Sequence, residues 1–215
     1  MKLPDHVPVM TLPNATLFPQ AMLPLYIFEP RYRRMLEDAL STHRMFSVAM
    51  QKPGLKRETP CPIAGLGLIR ASVQNKDGTS HLILQGLTRI RLEETIQRKP
   101  YRVERFHILS PEANDNVAID ALSEKVRELV AQRAAAAQDQ PSSTGTPQVP
   151  TLEHFADHIG KIKDAEQLTD MVACVMLQEP NHRQTILETV ELEPRLRLLV
   201  HYLMAKGASE SGQSA

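Results

Sequence analysis

The sequence predicts an α+β fold in two parts, a β-barrel with one early helix followed by a C-terminal α-helical bundle. Three observations support this prediction. Up to about Ser110 the apolar residues form short alternating or β-branched runs, as in strands. A single stripe with helical spacing follows Pro30, and from Asn116 onward the helical period takes over. We therefore predict a β-barrel domain at 1–113, a helical subdomain at 114–207 and a disordered tail at 208–215.

The first half of the chain contains six or seven candidate strands. Residues 22–28, MLPLYIF, are apolar on both faces and predict a buried strand. Residues 75–79, NKDGT, are polar and include an Asp-Gly pair, which is typical of a hairpin turn. The candidate strands are 7–12, 22–28, 45–51, 64–74, 80–85, 87–96 and 101–109. A closed or nearly closed barrel is predicted because closure hides the edges of the sheet.

One helix is predicted directly after the strand at 22–28. Pro30 suits the first helical position, because no intrahelical hydrogen bond needs its missing N–H there. The apolar residues that follow share one helical face: Tyr32, Met35, Leu36, Ala39 and Leu40. This face is expected to be committed to the core.

The second half predicts several helices and one loose segment. An apolar stripe runs through 116–137, whereas residues 138–150, QDQPSSTGTPQVP, have the composition of a flexible loop. Thr151 is placed to cap the next helix. Pro194 is expected to open the last helix and Gly207 to end it.

Composition limits the classes of function. The chain has 25 Lys and Arg residues against 25 Asp and Glu residues, so no long-range field steers it to nucleic acid or an anionic membrane. No apolar run approaches the ~20 residues of a membrane-spanning helix, and residues 1–12 lack a signal-peptide core. We expect a cytoplasmic protein whose two cysteines, Cys61 and Cys174, are reduced.

Several motifs resemble the N-terminal, substrate-binding domain of Lon proteases. The most specific is IFEPRY at 27–32. The other motifs, in chain order, are LPN at 12–14, LFP at 17–19, LPL at 23–25, GLG at 65–67, LQGLTRIR at 84–91 and KPY at 99–101, with helical similarity at 168–177 and 194–203. The resemblance implies a PUA-like β-barrel and a module that recognises polypeptide substrates.

The sequence contains no recognisable catalytic apparatus of a full-length Lon protease. The phosphate-binding loop of an ATPase needs GxxxxGK[ST], but Gly160-Lys161 is followed by Ile162, and Phe155 stands at the first glycine position. No GxSxG motif is present either. We therefore expect a stand-alone, non-enzymatic family member without cofactors. Its expected role is that of a proteolysis adaptor or chaperone-like protein in quality control, which hands polypeptide to a separate protease.

The candidate polypeptide-binding site surrounds the start of the first helix. Aromatic rings, a carboxylate and a guanidinium group meet there at a strand-to-helix junction, a mixture suited to an extended or partly unfolded peptide. The candidate residues are Pro24, Tyr26, Phe28, Glu29, Arg31 and Tyr32. An alternative stays open, in which Phe28 and Tyr32 fill the core while Glu29 caps the helix. The expected partners are unfolded or apolar polypeptide segments.

A second interpretation is an RNA-binding PUA-like module. Its candidate residues are basic side chains of the last strands: Arg89, Arg91, Arg102 and Arg105. Glu93, Glu94 and Glu104 are interleaved with them. The balanced charge and the few nearby aromatic residues favour instead a solvated strand face with cross-strand ion pairs.

Two histidines form an incomplete metal-ligand pattern. His154 and His158 are four residues apart on a predicted helix, with Asp157 nearby, so both imidazoles lie on one side. A zinc site needs at least a third protein ligand, and Phe155 occupies the glutamate position of an HExxH motif. The sequence therefore predicts no metal site.

Overall fold

The computed structural model of the protein describes residues 3–55, 58–111, 116–138 and 151–211. These residues form six strands and six helices, so the fold is α+β, as predicted. They divide into two compact units, Met1–Ser110 with Glu179–Val190, and Pro111–Gln178 with Glu191–Ala215. The domain boundaries expected from the sequence stay a prediction. In the structure, Glu179–Val190, a segment from the second half of the chain, belongs to the same unit as the strands.

The strands are β1 (His6–Leu12), β2 (Met22–Ile27), β3 (Met45–Met50), β4 (Ile63–Gln74), β5 (Ser80–Gln97) and β6 (Arg102–Leu109). The helices are α1 (Pro30–Ser41), α2 (Val117–Gln138), α3 (Leu152–Lys161), α4 (Ala165–Met176), α5 (Pro180–Glu188) and α6 (Leu192–Ser211). The predicted strand positions are confirmed, with one exception at Gly86.

The division of residues 80–96 into two strands is wrong, because β5 continues through Gly86 without a break. The glycine is needed for a close approach rather than for a turn. A Cβ atom at this position would lie 1.9 Å from the carbonyl oxygen of Phe18. The Gly86 N–H donates to Ala21 O at 2.8 Å, and its carbonyl accepts from Gln20 N at 2.8 Å. Residues 18–21 therefore lie directly against the middle of β5.

The six strands form one mixed sheet in the order β2-β5-β4-β3-β1-β6, and β6 also pairs with β5. The pair β1–β3 is parallel, and the other pairs are antiparallel. Among the described strands, β2 pairs with β5 alone. It therefore stands at one end of the strand order.

Helix α1 buries the face predicted from the sequence. Pro30 occupies the first turn and Glu29 is the N-cap residue, although the Glu29 side chain makes no cap hydrogen bond. The buried residues of the helix are Tyr32, Met35, Leu36 and Ala39. They share one apolar cluster with residues of the sheet that include Met10, Phe46 and Leu84. The helix is thereby fixed against the strands of the first unit.

Helix α5 also belongs to the first unit, although it follows β6 by many residues. The buried side chain of Gln184 donates from Nε2 to the carbonyl oxygen of Ile63, at 2.9 Å. Arg89 of β5 donates from Nε to the carbonyl oxygen of Leu187, at 3.2 Å. These two bonds tie the helix to β4 and β5.

The second unit contains α2, α3, α4 and α6. Thr151 caps α3 as predicted, with its hydroxyl accepting from the His154 N–H. Helix α6 runs past Gly207 to Ser211, so the predicted end at Gly207 is wrong. A single glycine costs a helix only about 1 kcal/mol, which does not by itself stop it.

Two predictions fall partly outside the described residues. Gln138 is the last residue of α2 rather than part of a loop, and residues 139–150 are not among those described. Of the predicted tail, 212–215 likewise lie outside. Within the described ranges, none of the helices is long and apolar enough to cross a membrane.

Candidate functional site

Strand β2 presents a row of apolar side chains to solvent. Its burial alternates along the chain, so that Met22, Pro24 and Tyr26 are exposed while Ile27 is buried. Phe28, just after the strand, is 58% exposed, and Tyr26 is 49% exposed. The two rings stack with their centroids 5.9 Å apart and an angle of 28° between their planes. An exposed aromatic pair of this kind leaves a large apolar area in contact with water.

The apolar row continues across the neighbouring strands. Tyr26 lies opposite His81 of β5, which in turn lies opposite Val73 of β4. The Tyr26 and His81 rings are 4.7 Å apart at their centroids. Pro24 lies opposite Ile83 in the same way. Directly opposed residues share one face of a sheet, so these side chains form one surface.

We call this surface the outer face. It consists of Met22, Pro24, Tyr26, Phe28, Val73, His81 and Ile83, all of them exposed. None of the seven is an Asp, Glu, Lys or Arg residue. Isolated exposed apolar residues are ordinary, but a contiguous group of this kind marks an interaction surface.

The strand-to-helix junction contains two kinds of residue: Glu29 and Arg31 form a polar rim, and the aromatic ring of Tyr32 is buried. Arg31 donates from Nε to Glu29, at 2.9 Å, and from Nη1 to Glu58, at 2.5 Å. Its guanidinium carbon lies 4.3 Å from the centroid of the Tyr32 ring. Arg31 and Glu29 are both half-buried and engaged with neighbours, so they form a fixed polar edge beside Phe28.

Tyr32 is buried, with an exposed fraction of 5%. Its hydroxyl accepts a hydrogen bond from the Thr11 N–H at 3.2 Å and lies 3.0 Å from a Glu58 carboxylate oxygen. Burial, followed by the negative charge of Glu58, raises the pKa of Tyr32. Of the six candidates, the structure thus places Pro24, Tyr26 and Phe28 on the outer face and Tyr32 in the core. For Tyr32, this agrees with the alternative left open from the sequence.

The four candidate arginines for nucleic acid do not share one open surface. Arg89 is only 1% exposed and donates to Leu187. Arg102 is half-buried and pairs with Glu104 at 2.7 Å. Arg105 is exposed and pairs with Glu94 at 3.4 Å, while Arg91 is exposed. The interleaved acidic residues thus engage two of these side chains, and the fold buries a third.

The structure supports neither a metal site at His154 and His158 nor a reactive thiol at Cys61. Within the part of the chain that the structure describes, no group of three His, Cys, Asp or Glu side chains is arranged to hold a metal ion. His154 Nδ1 lies 2.8 Å from the Thr151 hydroxyl at the start of α3. Neither Cys61 nor Cys174 forms a disulfide, and burial, followed by the charge of Glu188, raises the pKa of Cys61. A buried thiol with a raised pKa is a weak nucleophile.

Sequence reasoning missed four residues of the outer face: Met22 on β2, and Val73, His81 and Ile83 on the neighbouring strands. The strands of the last three were predicted, but which of their faces points outward and which residues they meet depend on the register. The alternation of Leu82 and Leu84 with His81 and Ile83 was the available signal, because both leucines are buried. Without the pairing to β2, that signal does not assign the residues to this surface.

Comparison with known proteins gives a consistent result. The family model described as "ATP-dependent protease La (LON) substrate-binding domain" matches residues 6–205. The Lon protease of Dictyoglomus thermophilum is 28% identical over 204 residues, which are 94% of this chain and 24% of that protein. The Lon protease of Desulfosudis oleivorans is 25% identical over 207 residues, with the same coverage of 94% and 24%. The chain thus spans about a quarter of the length of these curated relatives.

Solved structures of similar fold agree. The N-terminal domain of a Lon protease from the Mycobacterium avium complex has a TM-score of 0.71 and 17% identity, covering 93% of this chain and 98% of that one. A Lon N-terminal domain protein from Xanthomonas campestris has a TM-score of 0.63 and 18% identity, covering 92% of this chain and 98% of that one. At these identities, the likeness establishes the fold.

Proposed function

The chain belongs to the family of ATP-dependent protease La (LON) substrate-binding domains, and on this premise we propose that it binds polypeptide segments that are unfolded or rich in apolar residues. The outer face is the proposed contact surface. The observation that carries the proposal is the continuous group of exposed side chains, apolar except for His81, that runs from β2 across β5 to β4. A folded partner hides most of its apolar residues, whereas an unfolded segment offers them for contact.

The dimensions of the outer face suit an extended chain. In an extended peptide, alternate side chains point to the same side, so a peptide that crosses the strands can place every second side chain against the face. Tyr26 and Phe28 offer broad rings, and Met22 and Ile83 offer flexible or branched aliphatic groups beside them. Such a surface accepts many apolar sequences because it fixes no hydrogen-bond pattern.

Pro24 favours binding on the face over addition of a strand at the edge of β2. Proline has no N–H, and within a paired strand its nitrogen must lie on the side away from the partner strand. The free edge of β2 therefore lacks a donor at its centre, so a continuous hydrogen-bonded ladder cannot form there. The proposed affinity comes from side-chain contacts instead.

The other candidate residues take supporting roles in this proposal. Glu29 and Arg31 border the outer face next to Phe28 and provide a polar rim. Tyr32 holds α1 against β1 beneath the junction, through its bond with Thr11. The rim residues orient a peptide, and the apolar residues hold it.

We extend the proposal to architecture and role. The pairing of β6 with both β1 and β5 suits a PUA-like barrel. The protein acts without catalysis as an adaptor or chaperone-like factor in the cytoplasm, and it passes the bound polypeptide to a separate protease. The support for this role is the family itself.

RNA binding receives less support from the same structure. A phosphate-tracking surface requires several unpaired cations along one path, because each neutralised phosphate contributes to the affinity. Arg89 is buried, and Arg102 and Arg105 each pair with a glutamate. The polypeptide interpretation is therefore the one that we carry forward.

Calorimetric titration tests the proposal with two synthetic peptides of about 12 residues, which extend to ~40 Å. Both peptides have the same charges; one carries Leu and Phe at alternate positions, and the other carries Ser there. We expect the apolar peptide to bind and the serine peptide not to bind. The double variant Tyr26→Ser/Phe28→Ser should weaken binding about tenfold or more, because each ring buries further apolar area on binding.

Val175→Ser is the matched control, because Val175 is an exposed apolar residue of α4 that is not part of the outer face. We expect this variant to bind the apolar peptide as the unmodified protein does. Equal binding of both peptides, or unchanged affinity of the double variant with its fold confirmed by circular dichroism, would contradict the proposal.

A further inference from the structure

A cavity, separate from the outer face, lies within the first unit. Its volume is about 310 Å³, which is at the lower end of the range for small-ligand sites. The start of β1, the end of α1, the end of β5 and the start of β6 form its walls. Its lining includes His6, Asp38, His43, Met45, Ile96 and Tyr101.

One carboxylate stands in this cavity. Tyr101 donates its hydroxyl hydrogen to Asp38 Oδ2 at 2.7 Å, and Arg34 donates from Nε to the same oxygen at 3.3 Å. Among the described residues, no hydrogen bond reaches the other oxygen, Oδ1. Burial, followed by the hydrogen bond to Asp38, raises the pKa of Tyr101 to about 12, so the phenol remains a donor at neutral pH. Asp38 therefore keeps one acceptor oxygen available.

The end of α1 adds negative potential at the same place. The C-terminal end of a helix carries a partial negative charge, and a basic residue in the last turn usually offsets it. Helix α1 has no basic residue in its last turn and instead has Asp38 close to its end at Ser41. Among the described residues, no lysine or arginine lines the cavity, whereas His6 and His43 do.

The rest of the lining is largely apolar. Ile96, at the end of β5, is 50% exposed, and Met45, at the start of β3, is buried. Pro4 and Pro8 also belong to the lining. An apolar wall that leads to one carboxylate is complementary to an aliphatic chain that ends in a positive charge.

We propose that this cavity binds an organic cation on an aliphatic stem, that is, an alkylammonium or alkylguanidinium group such as the side chain of lysine or arginine. The charged head pairs with Asp38 at the end of α1, and the stem lies along Ile96 and Met45. A basic residue of a bound polypeptide is one source of such a group, and a free amine is another. The proposal does not depend on the outer face, because no residue of the outer face lines the cavity. Its test therefore uses single amino-acid derivatives, which are too small to cover both places.

The test compares Nα-acetyl-lysine amide with Nα-acetyl-norleucine amide, which has the same side chain length without the amine. Binding is followed by calorimetry and by the NMR signals of the His6 and His43 rings, which line the cavity. We expect saturable binding of the lysine derivative and binding at least tenfold weaker for the norleucine derivative. n-Butylammonium distinguishes the two sources: equal affinity indicates recognition of head and stem alone, and weaker affinity indicates added recognition of the peptide groups.

Asp38→Asn should weaken binding of the lysine derivative about tenfold, because it removes the charge while its amide oxygen still accepts from Tyr101. Glu37→Gln is the matched control, since it removes a neighbouring charge of α1 that does not line the cavity, and we expect no change. Tyr101→Phe leaves Arg34 as the donor to Asp38 Oδ2 and keeps the carboxylate charge, so it should preserve or strengthen binding. Equal binding of the lysine and norleucine derivatives, unchanged binding in Asp38→Asn, or loss of binding in Tyr101→Phe with its fold intact would overturn the proposal.

Discussion

Arg89 and Leu187 are 98 residues apart and are joined by a hydrogen bond from the buried guanidinium Nε to the backbone carbonyl oxygen, at 3.2 Å. The bond connects β5 to α5, a helix whose neighbours in sequence belong to the other compact unit. A buried arginine is costly unless hydrogen bonds satisfy it. The position of this side chain therefore depends on α5 being in place.

We predict that Arg89→Leu lowers the free energy of unfolding by about 2 kcal/mol, because the Leu187 carbonyl loses a charged donor. Urea denaturation measures the change. The control is Arg91→Leu on the same strand, where the side chain is exposed and the expected change is within about 0.5 kcal/mol. If the two variants were equally stable, Arg89 would not hold α5.

Gly86→Ala should be strongly destabilising because the new methyl group would overlap the Phe18 carbonyl. We expect a loss of about 3 kcal/mol, the upper range for overpacking. Gly160→Ala should change stability in the opposite direction, since Gly160 lies in α3 and a Cβ there meets nothing within 4 Å. Removing a helical glycine should stabilise the protein by about 0.5–1 kcal/mol. Thermal unfolding of both variants checks the pair, and a loss of stability in Gly160→Ala would count against this explanation.

The local elements of this fold were predictable, whereas their long-range partners were not. The start of α1 follows from Pro30 and the apolar spacing after it, which involve only neighbouring residues. The continuity of β5 through Gly86 depends on the approach of Phe18, and the docking of α5 depends on Ile63 and Arg89. No local pattern encodes these contacts.

The candidate site shows the same division. Alternation along 22–28 placed Tyr26 and Phe28 on the same side of the chain, but the prediction of a buried strand there is wrong, because Met22, Pro24 and Tyr26 are exposed. The helical spacing placed Tyr32 on the face expected in the core, while Tyr32 was also a site candidate, because an aromatic residue on an amphipathic helix suits both the core and a binding surface. In the structure, Tyr32 is buried. The members on β4 and β5 entered the outer face only through the register of the sheet.

Stability should fall at alkaline pH because of two tyrosines. Folding raises the pKa of Tyr101 from 10.0 to about 12, mainly through burial, and it raises the pKa of Tyr32 for the same main reason. A raised pKa means that the unfolded chain loses these protons first, so the stabilisation is complete below about pH 10 and is lost as the pH rises toward 12 and above. Urea midpoints measured from pH 9 upward should decline in this window, with pH values set in steps of about one unit. Tyr101→Phe should make the decline shallower, and an unchanged slope would contradict the assignment.

The second unit contains a buried ion pair whose loss should be severe. Arg195 is 0% exposed, and its Nη1 lies 3.3 Å from Asp170 Oδ1. Asp170→Leu should lower the free energy of unfolding by about 3 kcal/mol or more, because it leaves a buried charge with fewer partners. The exposed pair of Arg197 and Glu193 on α6 is the control, and Arg197→Met should cost less than about 1 kcal/mol. Comparable losses in the two variants would show that burial does not set the cost.

Tyr26 and Tyr32 allow binding and stability to be separated. The Tyr32 hydroxyl is bonded to Thr11 and Glu58 beneath α1, whereas Tyr26 stacks with Phe28 on the outer face. We predict that Tyr32→Phe lowers the free energy of unfolding by about 1–2 kcal/mol, because the hydroxyl is lost from a buried network. The same variant should bind the apolar peptide with unchanged affinity.

Tyr26→Ser should behave in the opposite way. Its side chain is half exposed, so removing the ring should change the free energy of unfolding by no more than about 1 kcal/mol. Its affinity for the apolar peptide should fall about five- to tenfold, since the ring no longer covers an apolar side chain of the ligand. Calorimetric titration and urea denaturation of both variants give four values. A binding site on the outer face and a structural role for Tyr32 require one pattern: Tyr32→Phe loses stability but not affinity, and Tyr26→Ser loses affinity but not stability.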